Sequence, residues 1–280
     1  MTARLGSETS APSRRARYAY ITAVVLSSCK LTIPGRRRFE QLQAREAWET
    51  TGTRVDRWRQ LAATFRSERL TALQNDQSFV PLAPGPKVVL HCIPLESFGT
   101  DASHDVFALS GVYPMGWTRL HAWLQRINIE GSICLDAGEP PSAYTQIYRS
   151  GAVEAVRANL LRIPHPRNPA PDVILSQLYE EAVVQYVPHC FGLMRRIGCT
   201  PPVLIGISLI GVRGLTMADS SGAVIDRDVL ALPDVIVEDF SAKPSALLKP
   251  SLDRVWNACG SPGSPYFDAS GNWVGQRSLI

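Results

Sequence analysis

Three prolines in six residues, Pro81-Leu82-Ala83-Pro84-Gly85-Pro86, constrain this chain more than any other feature. Each proline fixes φ and removes a backbone donor, so neither a helix nor a central strand passes through the segment. It therefore separates a helical front from a globular body that begins near residue 79. Directly after it, Lys87 to Pro94 is almost continuously apolar, as a strand buried on both faces is, and Pro94 limits its end.

The rest of the body reads as short strands, one long helix, more strands and a last helix. Ile127 to Leu135 is a strand or hairpin arm broken near Gly131. Ala143 to Val156 gives two short strands around the turn Ser150-Gly151, so neighbours pair as an antiparallel meander. Asp172 to Ile197 has helical apolar spacing, with Pro188 expected to kink or split it and Gly198 to stop it. Pro202 to Met217 is a buried strand bent near Gly211-Val212-Arg213-Gly214, one or two strands lie between Ile225 and Asp239, and a helix covers Ser245 to Cys259. Strands in runs with segregated helices predict an α+β fold: a mostly antiparallel mixed sheet, one long Pro-kinked helix and flanking N- and C-terminal helices.

Ahead of the proline segment, Phe39 to about Gln74 is helical in two stretches, Phe39 to Trp48 and Val55 to Leu73, broken at Thr50-Thr51-Gly52-Thr53. Trp58, Leu61, Ala62, Phe65, Leu70 and Leu73 fall near three- and four-residue spacing and form an apolar stripe. Arg54, Arg57, Arg59, Arg66 and Arg69 fall mostly on other faces, as a solvated basic face or one that contacts phosphates. Residues 1–78 carry 14 Lys and Arg against seven Asp and Glu, while the remainder is mildly acidic. The expected division is thus a basic, partly disordered segment over residues 1–38, a basic amphipathic helical segment over 39–78 and an α+β domain over 79–280.

Six dispersed cysteines include no C-x-x-C pair, which favours reduced, buried thiols and a cytoplasmic setting. The competing signal is at the front, where basic residues precede the apolar run Tyr18 to Ser28 and then Cys29, as in a lipoprotein export segment. The run holds two tyrosines and is short, and its branched residues equally suit a strand. It is too short to span a bilayer as a helix, and no membrane partner is expected.

No phosphate-binding loop, G-x-S-x-G elbow, dinucleotide fingerprint or H-E-x-x-H set is present, and no catalytic residue, metal or cofactor is expected. His91-Cys92 and His189-Cys190 would have to meet in space to form a metal site. Asp226, Asp228, Asp234, Glu238 and Asp239 are the one acidic group that a metal-dependent nuclease would use. Tyr144, Gln146 and Tyr148 share a strand face beside Arg149, the composition of a base-stacking surface or of a half-buried sheet face.

Several segments together resemble a known family. Phe65-Arg66-Ser67-Glu68-Arg69-Leu70, Val80 to Pro86, Tyr144 to Val156, Gly211 to Gly214, Asp226-Arg227-Asp228, Leu232 to Val235, Trp256-Asn257-Ala258 and Tyr266-Phe267-Asp268 are similar to the region that follows the AlbA-like, Schlafen-type DNA-binding domain of bacterial proteins. The similarity covers roughly residues 55–273, and the DNA-binding module itself is not found in the first fifty residues. The resemblance implies an accessory or regulatory region of a DNA-associated protein rather than an enzyme. DNA or another polyanion is the expected partner, contacted through Arg54, Arg57, Arg59, Arg66, Arg69, Tyr144, Tyr148 and Arg149. A homo-oligomer is compatible with the same reading.

Overall fold

The computed structural model describes residues 55–99, 103–116, 122–159, 173–220 and 222–275. Contacts divide the chain into Met1–Arg54 and Val55–Ile280. The first unit, including the export-like run, Cys29, Arg54 and the first helical stretch expected from Phe39, lies outside the described residues.

Within the second unit, α1 (55–74) ends before the proline segment, and β1 (Lys87–Pro94) follows it. A hairpin of β2 (Trp123–Asn128) and β3 (Gly131–Asp136) leads to β4 (Ala143–Tyr148) and β5 (Val153–Arg157). After β6 (Val173–Ile174) come α2 (Ser176–Arg196), β7 (Val203–Ile210) and β8 (Thr216–Met217). The chain continues through β9 (Val229–Ala231), β10 (Val235–Val237) and α3 (Pro244–Ala258). Helix α2 runs unbroken through Pro188, so the proline does not divide it. Proline at the start of α3 sits where a missing N–H costs nothing.

The main sheet has the order β10-β7-β1-β5-β4-β3-β2, with β9 also on β7, and each of its pairs is antiparallel. This is the expected α+β class and meander. The parallel pair β6–β8 was not legible, because two-residue strands carry no periodic signal.

Alternation on β1 shows how the layers are built. Val88, Leu90 and Cys92 join the core under α2 and α3, with Val183, Val187, Phe191, Leu252 and Trp256. Val89 joins the opposite core with Leu70 and Leu73 of α1, and Ile93 packs with Ala62. A strand covered on both faces must be apolar at successive positions, which explains the continuous run read from the sequence. Since α1 closes one face of the sheet, the boundary expected near residue 79 falls inside the compact unit, which begins at Val55.

Candidate functional site

The sheet face under α1 carries a row of polar residues. Register places Gln146 of β4 beside Glu154 of β5, Glu154 beside His91 of β1, and His91 beside Gly206 of β7. Gln146, Glu154 and His91 are all fully buried. A buried carboxylate is costly unless it is paired and hydrogen-bonded, so the overlying helix must supply partners.

Arg69 of α1 supplies them. Its Nε donates to Glu154 Oε2 at 2.8 Å and its Nη2 to Oε1 at 3.0 Å. The Tyr144 hydroxyl donates to Oε1 at 2.6 Å, and His91 Nε2 lies 3.1 Å from Oε2. Burial alone raises the Glu154 pKa, but the bonds from His91 and Arg69 overcome it and hold the carboxyl at about 2. Burial and the Glu154 charge push the Tyr144 phenol up. The Arg69 guanidinium also lies 4.5 Å from the Phe79 ring centre, a cation–π contact.

Arg66, one turn earlier on α1, makes the second tie. Its Nη2 donates to Ile207 O at 2.7 Å, Ser208 Oγ at 2.8 Å and Leu232 O at 3.1 Å, and its Nη1 pairs with Asp234. Burial lowers its pKa against the opposing pull of Asp234. The arginine crosses Gly206, where an added Cβ would stand 2.5 Å from Nε.

Sequence reasoning put Arg66, Arg69, Tyr144 and Tyr148 on a nucleic-acid surface, and the structure places them elsewhere. Arg66, Tyr144 and Tyr148 are buried and Arg69 is half-buried, because the sheet carboxylates and α1 satisfy each other across the interface. Phe65 and Phe79 close on Tyr148 at ring-centre separations of 5.1 and 6.0 Å, so no base reaches that ring. Arg57, Arg59 and Arg149 are exposed. Arg59 lies 3.8 Å from Asp56, and Arg149 Nε donates to Ile129 O at 3.2 Å. With exposed Asp56 and Glu68 on the same helix, the outer face of α1 is close to neutral.

The acidic residues do not converge. Asp226 pairs with Arg227 at 2.8 Å, Asp234 holds Arg66, and Asp239 accepts from the Ser241 backbone N–H at 2.8 Å. Among the described residues, no three His, Cys, Asp or Glu side chains are grouped to hold a metal ion. Of the two His-Cys pairs, the Cys92 and Cys190 thiols do meet. Their histidines diverge, His91 to Glu154 and His189 to Tyr113 and the Gln185 carbonyl.

Two arrangements were missed from sequence. His104 Nε2 lies 3.4 Å from Cys199 Sγ, a pairing across 95 residues that no local spacing announces. Burial and Glu96 push the Cys199 thiol up to about 12, so it is protonated at neutral pH and unsuited to nucleophilic attack. The other is Glu180 of α2, which accepts from Trp256 Nε1 at 2.7 Å, Ser264 Oγ at 2.8 Å and Trp273 Nε1 at 3.0 Å. Its carboxylate pins α3 and the tail to α2. Near the start of α2, an open pocket of about 320 Å³ is lined by Leu175, Leu178, Glu181, Asp219 and Tyr266, among others. There the Tyr266 hydroxyl is already engaged with Ser176 at 2.8 Å and Asp219 at 3.2 Å.

The fold and site define an α+β domain whose buried charges hold its layers together. Compared with known proteins, the chain matches no family model, no curated protein and no solved structure. No helix among the described residues is long and apolar enough to cross a membrane.

Proposed function

We propose that this chain is a non-enzymatic accessory or regulatory protein of the cytoplasm. Its α+β body serves as a scaffold, and its arginine-rich front contacts DNA or another polyanion. The observation that carries the reading is the allocation of charge. Inside the body, Arg66 and Arg69 are tied into contacts between α1 and the sheet, Glu180 holds α3 and the tail to α2, and the Glu154 carboxylate is fully buried. A carboxyl held near pKa 2 is a poor general base at neutral pH.

The positive charge lies elsewhere. Residues 1–54 carry ten Lys and Arg against four Asp and Glu, and Arg36-Arg37-Arg38 is their densest run. Residues 55–280 carry 19 against 21. A cationic segment joined to a nearly neutral body suits phosphate neutralisation with release of counterions, a binding mode independent of base sequence.

Fluorescence anisotropy of a labelled DNA duplex with the full chain, repeated over a salt series, tests this. The logarithm of the binding constant falls linearly with the logarithm of salt. Replacing Arg36, Arg37 and Arg38 by Ala flattens the slope by about 0.9 for each phosphate no longer neutralised. Replacing Arg57 and Arg59 by Ala changes it less. Absence of binding even at low salt overturns the proposal.

A further inference from the structure

The two edges of the main sheet are unlike. On one side β7 is capped by β9 and β10, each of three residues and separated by a segment containing Pro233. Short strands and prolines are how natural sheets blunt an edge. On the other side β2 pairs continuously with β3 over six residues, from Trp123↔Asp136 to Asn128↔Gly131. No strand among the described residues covers its outer side. Strand β2 holds no proline and no bulge, and its one charge is Arg126.

The ladder fixes which backbone groups point outward. Ala137 N donates to Ala122 O at 3.1 Å, and the two-residue turn closes at Asn128↔Gly131. Hydrogen-bonded and non-hydrogen-bonded pairs alternate along an antiparallel ladder, so Leu124, Arg126 and Asn128 bond to β3. The N–H and C=O groups of Trp123, Gln125 and Ile127 face away from the sheet. Leu124 and Ile127 are 47% and 55% exposed, and Ile129 in the adjoining turn is 87% exposed.

We propose that β2 is a homodimer edge, on which a second copy of this chain adds its own β2 antiparallel about a two-fold axis at Gln125. The strand is self-complementary in that register. Outward-facing Trp123, Gln125 and Ile127 become hydrogen-bonded partners of Ile127, Gln125 and Trp123 of the second copy. Trp123 and Ile127, on the α2 side of the sheet, meet as an aromatic and β-branched pair, a favourable cross-strand combination. Leu124 faces Arg126 on the other side, so its methyl groups meet the arginine stem and no like charges oppose. Centring the axis one residue later would set Arg126 against Arg126. Both registers pair five of the six residues of β2, and of the two the charge pattern favours the one at Gln125; joining two edges removes both from solvent.

Light scattering of the full chain after size exclusion gives twice the chain mass. Leu124→Arg sets two arginines opposite each other at two symmetric places and raises the dimer dissociation constant about tenfold or more. Adding Arg126→Glu to Leu124→Arg restores the dimer. Both sites are exposed, and an unchanged far-UV spectrum separates loss of dimer from loss of fold. As an independent readout of register, Gln125→Cys crosslinks between copies under oxidised glutathione more than Arg126→Cys or the parent chain does. Opposed Cα atoms at the axis stand about 5.5 Å apart, within disulfide reach. A monomer at micromolar concentration, or a dimer indifferent to Leu124→Arg, overturns the proposal.

Discussion

Arg69 and Glu154 are separated by 85 residues and meet in a two-pronged ion pair that docks helix α1 on the sheet. The pair is stronger as a lock than as a source of stability, since taking both charges out of water offsets much of their attraction. Removing one partner is different, because it leaves the other charge at the interface without its two-pronged partner. Glu154→Gln and Arg69→Met are each expected to cost about 3–5 kcal/mol in urea unfolding. The double variant should lose at least about 1 kcal/mol less than the sum of the two. Additive losses would show that the two side chains do not act as a pair.

The same carboxylate gives the fold an acid limit. Its pKa falls from an ordinary 4.5 to about 2 on folding, so its contribution is fully present above pH 4.5. That contribution is lost as pH falls towards 2. In Glu154→Gln the stability lost between those values should shrink by roughly 2–3 kcal/mol. Chemical unfolding at stepped pH measures it, and an unchanged acid slope in the variant would contradict the assignment.

Gly206 is required by the path of Arg66. A Cβ at this position would stand 2.5 Å from Arg66 Nε and 2.7 Å from its Cδ. Gly206→Ala should displace the guanidinium from Asp234 and the β7 carbonyl, costing about 1–3 kcal/mol in thermal or urea unfolding. A neutral effect would mean that the arginine has another path.

Glu180 should resist even isosteric change. Both of its oxygens accept, from two indole N–H groups and a serine hydroxyl. The amide of Glu180→Gln turns one acceptor into a donor facing another donor, at a cost of about 1–3 kcal/mol. Tryptophan emission should shift red as the tail around Trp273 loosens. An unaltered spectrum and midpoint would remove the tail-pinning role.

Thiol chemistry offers a last check. Burial pushes the Cys134 thiol up to about 12, as burial and Glu96 do for Cys199. Peptide mapping after brief iodoacetamide treatment at pH near 8 should find both unmodified in the native chain and both labelled in denaturant. Rapid native labelling of Cys199 would instead mark the His104 pair as a reactive centre.

Much of the fold was legible because its signals are local. The proline segment, the apolar run of β1, the Ser150-Gly151 turn and the spacing of α1 and α2 each depend on a few neighbouring residues. The polar row left only a faint trace, one polar residue set among apolar ones in each of two adjacent strands, His91 in β1 and Glu154 in β5. Nothing in the sequence says that those strands are neighbours or that Arg69 lies over them.

The arginines of α1 show where the division lies. Helical spacing alone determined that the segment is amphipathic, and it set the pitch on which Trp58, Ala62, Phe65 and Leu73 face one way. Whether Arg66 and Arg69 face solvent or carboxylates was decided only by tertiary structure. An arginine beside an apolar stripe can extend outward or fold its stem inward, and the choice depends on a partner supplied from far along the chain. Here the partners are Asp234 and Glu154, brought beneath one helix by strand order rather than by sequence distance.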